Sequence, residues 1–548
     1  MTAIVDDILR DQAAYEAQRA NFDNTWQRIA DLIYPAGAQI VQKNTEGQRR
    51  DQAQFDSTGA LALSRFQAAM ESVLTPRTQR WHGLAPSDSA LAELDDVKAY
   101  CEAVTELLFK ARYNSRSNFT GACGEHYLSL GAFGNGVTFV DEVPGKHLRY
   151  KSLFMGEVWF AANAHGLIDT THRKFELTAR QAVQKFADQL PPEITNAATT
   201  SPQRIYEFIH CVKPRADYDP GRRDYRGMPI SSYYICTTAS RLIEESGFWS
   251  MPYICSRFQT APRETYGRGP ASQVLPTLNT ANEMQKTLLR AGQKAVDPPL
   301  MMPDDDILAT FNLRAGALNA GAIDSQGRAL VQPLATGANL PIGLDMIQSE
   351  REVINQAFYV TLFQILVDNP QMTATEAMLR AQEKGALLAP AMGPQQTEYL
   401  SPIIERELDI LSRAGQLPPM PQELMDAGGI VTVEFTSPLN RMQRAEDGVA
   451  ILRTFEALTP LAQIDPSVFD TFHLPRTARV LADLNGMPVK CFKTDDEQDA
   501  DDAAKQQQAD AAQLLAAAPV AGKAAYDLTR AAQTAQSVPQ LGAMLNSP

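Results

Sequence analysis

The chain has 548 residues, 44% of them hydrophobic and 21% charged, with a formal net charge of -14 and a pI near 5.1. That length suffices for about three domains or one elongated multi-part subunit. The acidic balance argues against tight binding to nucleic acid, which needs clustered Lys and Arg, but it leaves room for a protein that surrounds DNA and lets it slide.

The six cysteines (Cys101, Cys123, Cys211, Cys236, Cys255, Cys491) are scattered and include no C-x-x-C pair. This is the pattern of reduced thiols, not of a disulfide framework. "MTAIVDDILRDQAAYEAQ" has early acids and no apolar core, so it does not read as a secretory signal. The longest uncharged apolar stretch, Val353 to Val367, falls short of the roughly 20 residues that span a bilayer. The expectation is a soluble protein with no membrane partner.

In chain order, helical spacing of Trp26, Ile29 and Ile33 predicts a helix from Ile4 to Ile33, stopped by Pro35. Further helices are expected at Asp56–Pro76, Ala90–Ala111 and Asn118–Leu130. The period then changes to two. "GNGVTFVDEVPGKHLRYKSL" reads as a hairpin around Pro-Gly, followed by strands at Gly156–Phe160, Ile168–Phe175, Ile205–Val212, Ser231–Cys236 and Tyr253–Phe258. A helix at Thr178–Leu190 lies among them.

The second half reads mostly as helix. A run of about 25 residues, roughly 37 Å long, carries Val274, Leu278, Ala281, Met284, Leu288, Ala291 and Ala295 on one stripe. Asp304–Pro341, rich in Gly, Ala and Pro, looks like a small subdomain. A second long helix, Ile342–Val367, follows, with Ile347, Ile354, Phe358, Thr361 and Ile365 on one stripe. Val360, Leu362 and Phe363 make it apolar on further faces, which predicts burial on several sides. After the break "DNPQM", Thr373 and Glu376 have capping-box spacing. Helices near Gln396–Ala414, Arg444–Leu458 and Thr477–Leu484 and one strand in "IVTVEFTSPL" complete the body. "DDEQDADD" then leads into an Ala/Gln-rich tract.

No catalytic constellation emerges. Gly267-Arg268-Gly269-Pro270 lacks the Lys-Ser/Thr of a phosphate loop, and Pro270 removes an amide. "GAFGNG" is explained by the turn into the hairpin. The seven histidines form no H-E-x-x-H, and His165 and His172 lie on a hairpin without cysteines at zinc spacing. Gly-x-Ser-x-Gly is absent. "DPGRRDYRG", Asp219 to Gly227, reads as a basic, solvated strand-to-strand tip. No cofactor, metal or enzymatic activity is expected.

Four segments carry a family resemblance: "WQRIADLIYP", "FDSTGALALSRFQAAMESVLTPRTQRWHGL", "GRGPASQVLPTLNTANEMQKTLLRAGQKAVDPPL" and "MTATEAMLRAQEKGALLAP". In this order they resemble the head-to-tail connecting (portal) proteins of short-tailed bacteriophages, from about Trp26 to Leu484. The resemblance implies a portal-type fold, mainly α with an α+β wing. It places the wing at 1–263, the hinge and first stem helix at 264–296 and the clip at 297–341. The second stem helix falls at 342–367, a channel loop at 368–372, a return to wing and crown at 373–494, and a tail or barrel helix at 495–548. It implies a dodecameric ring at one capsid vertex, assembled in the host cytoplasm and carried in the virion. The partners implied are double-stranded DNA held without sequence preference, a terminase motor, tail adaptor proteins, and capsid and scaffolding proteins. The channel-loop residues would be Asp368, Asn369, Pro370, Gln371 and Met372. Val274, Leu278, Met284, Leu288, Ile354, Phe358 and Ile365 would pack the stem and the ring. The alternatives are another phage scaffold or capsid component without a channel, and an enzyme with a dispersed site.

Overall fold

The computed structural model describes residues 2–364 apart from 44, 46, 51–52, 89, 144–146, 302–311, 313, 315, 320–321, 324 and 335–339. Beyond these it describes 391–435 and parts of 448–482. The chain divides into two compact units, the larger comprising 1–85, 103–419 and 431–447 and the smaller the remainder. This division keeps the mixed body and both long helices of the pair together.

The larger unit mixes helices with antiparallel sheets. It opens on α1 (Thr2–Ile33) and α2 (Thr58–Leu74), followed by β1 (His82–Pro86). α3 (Asp95–Arg112) leads to α4 (Phe119–Phe133). The hairpin of β2 (Asn135–Val143) and β3 (His147–Leu153) forms as the alternation predicts, with Val137 opposite Leu153 and Val143 opposite His147. Next come β4 (Val158–Ala162), β5 (Ile168–Thr178), α5 (Ala179–Phe186), α6 (Pro192–Thr200), β6 (Ile205–Pro214), β7 (Ile230–Cys236), β8 (Arg241–Phe248) and β9 (Tyr253–Arg257).

Strands β4 to β8 make one five-stranded sheet in sequence order, and β3-β2-β9 make a second. Period-2 alternation gives the first sheet two apolar faces. On one, Tyr206 and Phe208 pack with Ala182, Phe186 and Ile194 of α5 and α6. On the other, Ile209 and Cys211 pack with Val5 and Ile8 of α1. The sequence reading has neither β8 nor α6. β8 carries Glu244 and Glu245 on a sheet edge, where one side needs no apolar residue, and α6 is too short to repeat a stripe. α5 is shorter than expected. It starts at a Thr178–Gln181 capping box and ends where Ala187 takes φ 45.

α4 is buried on nearly every side, so its polar groups need internal partners. His126 is held between Thr138 Oγ1 (3.0 Å) and Ser256 Oγ (2.8 Å), and stacks on Tyr399 at 3.7 Å. His210 is held likewise by Tyr253 and Ser232, and His172 Nδ1 meets Gln12. These three are core histidines; His165 is exposed in the β4–β5 turn. Arg112 and Glu407 form a fully buried ion pair with Arg112 Nε at 3.0 Å from Oε1. Tyr150 donates to the same carboxylate, and His82 Nε2 lies 2.8 Å from the guanidinium. The pair binds α11 (Ser401–Arg413), which carries Glu407, to α3 and β3.

Two predictions follow from this core. Burial pushes the His126 and His172 imidazoles down to about 3 and His210 well below its ordinary value. The unfolded chain therefore takes up protons below about pH 6.5 that the folded core refuses. Stability should fall as pH drops through that range, by about 1.4 kcal/mol per pH unit for each such histidine. Thermal unfolding from pH 7 to 4 should show this, with a shallower dependence in His126→Gln; an equal slope in both would refute it. In the second, Arg112→Met strands the Glu407 charge and should cost about 3–5 kcal/mol, while Arg112→Met with Glu407→Leu should recover most of the loss. Denaturant titration of the three proteins checks it.

Candidate functional site

The chain leaves the body at Gly267-Arg268-Gly269. Asn135 clamps the first glycine, accepting from its N–H at 2.7 Å and donating to its carbonyl at 3.1 Å. A Cβ on Gly267 would lie 2.6 Å from the Gly134 carbonyl oxygen, and one on Gly269 2.7 Å from that of Leu130. These glycines are therefore required by two backbones in contact, where the sequence suggested a turn. Gly134 itself needs to be glycine for its left-handed φ of 76, which ends α4. Arg268 pairs outward with Glu264 at 2.6 Å and cradles no phosphate.

After α7 (Pro270–Gln273), the long α8 (Leu275–Val296) runs 22 residues, about 33 Å. Pro298 and Pro299 follow its end, and β10 (Leu300–Met301) pairs with β11 (Gln332–Pro333), bringing together the chain that leaves α8 and the chain approaching α9 (Leu340–Ala357). α8 and α9 pack side by side, so closely that a Cβ on Gly343 would meet Leu288 at 2.6 Å.

The roots of the pair are locked into the body. Asn282 of α8 accepts from the N–H groups of Phe55 (2.7 Å) and Asp56 (3.2 Å) and donates to the Ala53 carbonyl. Asp56 caps α2 through the Thr58 N–H at 2.7 Å. Its second oxygen receives Arg351 Nε of α9 at 3.0 Å, and Arg351 also reaches Gln285 of α8. One buried carboxylate thus joins α2 to α9, while Asn282 and Gln285 of α8 pair with the Asp56 backbone and with Arg351 beside it. Sequence reading missed this junction; the helix-start signal at Asp56 was its one visible trace.

The pair also carries apolar side chains that the subunit leaves exposed. Ile342, Met346 and Val353, spaced four and seven apart, share a face of α9 about 120° round from Ile347, Ile354 and Phe358. Together with Leu344 and Leu289 of α8 they are 43–57% exposed, and Val296 is 88% exposed. A groove of about 970 Å³ runs along the outer part of α8 past Leu288, Leu289, Val296 and Leu344. This is an apolar surface that one subunit leaves uncovered.

The predicted packing residues separate accordingly. Val274, Leu278, Ile354 and Phe358 are buried inside the subunit, while Met284 and Leu288 are half-buried on α8. Ile365, the five positions Asp368 to Met372, and the acidic and Ala/Gln-rich tract lie outside the described residues. The second helix is also not continuous to Val367. It ends at Ala357, and Tyr359 (φ 57) precedes a short α10 (Val360–Gln364). The break brings both Phe358 and Val360 into the body, so a single subunit covers faces whose burial the unbroken reading assigned to neighbours.

In the basic tip, Arg222 pairs with Asp224 and Arg226 with Asp217. Among the described residues no group of His, Cys, Asp or Glu is placed to hold a metal ion, and no helix is long and apolar enough to cross a membrane.

Comparison with known proteins agrees with this structural character. Residues 6–492 match the family described as Bacteriophage head to tail connecting protein. A probable portal protein of Bordetella phage BPP-1 is 31% identical over 484 residues, 86% of this chain and 85% of the relative. The portal protein of Salmonella phage epsilon15 is 25% identical over 530 residues, 95% of each chain. A long helix pair with an uncovered apolar face thus occurs in a chain that belongs to the bacteriophage head to tail connecting protein family.

Proposed function

We propose that copies of this chain close into a dodecameric portal ring at one vertex of the phage head, through which DNA is packaged and ejected. Family membership supports the portal function and the virion location. The observation that carries ring closure is the exposed stripe Ile342, Met346 and Val353 on α9. A helix whose second apolar face is uncovered gains by docking on a neighbour, and a rotation that closes repeats that contact around a ring. In this reading α8 and α9 are the stem, the segment between them is the clip that receives tail adaptors and the terminase motor, and the mixed body is the wing. Capsid and scaffolding proteins complete the partners. Asp368 to Met372 form the channel loop, where Pro370 keeps the flanking helices from merging. The net charge of -14 suits a conduit, since acidic walls repel phosphate and do not hold the DNA. The role is structural, and the energy of packaging comes from a separate motor ATPase.

Met346→Asp puts a charge on the proposed contact of every subunit, at a cost of several kcal/mol per interface when desolvated without a partner. It should give folded monomers in sedimentation velocity, whereas Arg223→Asp on the basic tip should sediment as wild-type rings. Rings from Met346→Asp would remove this face from the interface, and shells or filaments from the wild type would favour a scaffold component without a channel. Phe358→Asp is unsuited to this question, because Phe358 is buried in its own subunit. Deleting Asn369–Gln371 should spare ring assembly and lower DNA packaging or retention in a virion assay. Full retention would deny the loop a DNA contact.

A further inference from the structure

We propose that Phe358–Tyr359 is a two-state joint. Its bent form is the one described above. In its straight form α9 and α10 fuse into a single helix, Leu340–Gln364, and Val360 leaves its pocket.

Nothing in the local sequence calls for a bend. Val353 to Val367 contains neither Gly nor Pro, the usual causes of a sharp helix break. Yet Tyr359 takes φ 57, a left-handed conformation that is strained for a bulky L-residue. The strain is held in place by its two neighbours. Phe358 is 0% exposed, its ring 6.3 Å from Phe66 of α2 and nearly perpendicular to it, and Val360 is 3% exposed. Two positions apart on a continuous helix, these side chains would point about 160° apart, to nearly opposite sides. Only the left-handed step between them lets one body bury both. Tyr359 closes the cluster, with its ring 6.5 Å from Phe258.

The two forms therefore trade like against like. Bending buries Phe358 and Val360 together but strains Tyr359 and interrupts the helix ladder; straightening restores the ladder and exposes one apolar side chain. Opposed terms of similar size in a packed element make two discrete arrangements instead of a continuous flex. The moving part is also defined. α9 is tied to α2 and α8 by Arg351 on Asp56 and Gln285, so straightening swings α10 while α9 stays in place. The joint is internal to one subunit and stands or falls independently of ring formation.

The test places spin labels at Gln348→Cys and Thr361→Cys, both exposed positions, in a Cys491→Ser background of the full chain. Labelled subunits are diluted tenfold into unlabelled protein, and distances are read by double electron–electron resonance. A straight helix separates these positions by about 20 Å along its axis, and the bent form gives a shorter component. The wild type should show both. Tyr359→Gly, which removes the left-handed penalty, should raise the ratio of short to long about tenfold. Tyr359→Ala and, separately, Val360→Ala should shift it toward the long component. Sedimentation matching wild type certifies the fold of each variant. One unchanged distance in all four proteins would overturn the joint, as would a long component that grows in Tyr359→Gly.

Discussion

Everything outside the body depends on how one buried carboxylate is satisfied. Asp56 caps α2 with one oxygen and receives Arg351 of α9 with the other, while Asn282 of α8 fastens the backbone just before it. A buried charge is tolerated only when paired and hydrogen-bonded. The carboxylate therefore holds α2 and α9 in one relative orientation, because displacing either would leave one of its oxygens unpaired, and Asn282 fixes α8 to the same segment through its backbone. The long pair leaves the body in a set direction as a consequence. Its outer apolar residues are presented together, which a flexible attachment would not ensure.

The body resists deformation by the same logic. α4 sits within it with almost no exposed face, and the close backbone contact of Gly134 with Gly267 and Gly269 joins its end to the root of the helix pair. The Arg112–Glu407 pair, with Tyr150 and His82 filling the remaining hydrogen-bonding positions, ties α11 to the same frame. Such networks contribute less to net stability than to uniqueness, since a half-satisfied arrangement costs far more than the formed one returns. A rigid body carrying a partly uncovered helix pair is what a component needs if identical copies must meet with the same geometry at every contact.

The joint at Tyr359 stands against this rigidity. It lies about two turns beyond Arg351, the anchored residue of α9, at the point where local helix preference and tertiary burial disagree. Along α2, α8 and the β2–β3 hairpin the two agree, the consistency expected of a well-specified fold. Where they conflict, strain has been kept instead of being relieved by a glycine, which marks the position as one where two arrangements are useful.

How far the sequence alone reached follows from which forces are local. The stripe from Val274 to Leu288, the stop at Pro298, the hairpin after Gly136 and the two-residue alternation of β5, β6 and β7 all express a single element's need to turn one face inward, so they are readable from spacing. Membership of the head to tail connecting family was legible in four linear segments for the same reason. The sequence could not show that Gly267 and Gly269 are small because Gly134 lies against them, since that contact joins positions more than 130 residues apart. Nor could it show that Asp56, Asn282 and Arg351 converge, or that β8 exists on a charged sheet edge. The second long helix of the pair is the sharpest case. Its sequence specifies one continuous apolar helix with too many buried faces for any single partner, and tertiary packing alone decided to break it at Tyr359. Burying Phe358 and Val360 in the same body outweighs the helical hydrogen bonds and backbone comfort given up between them.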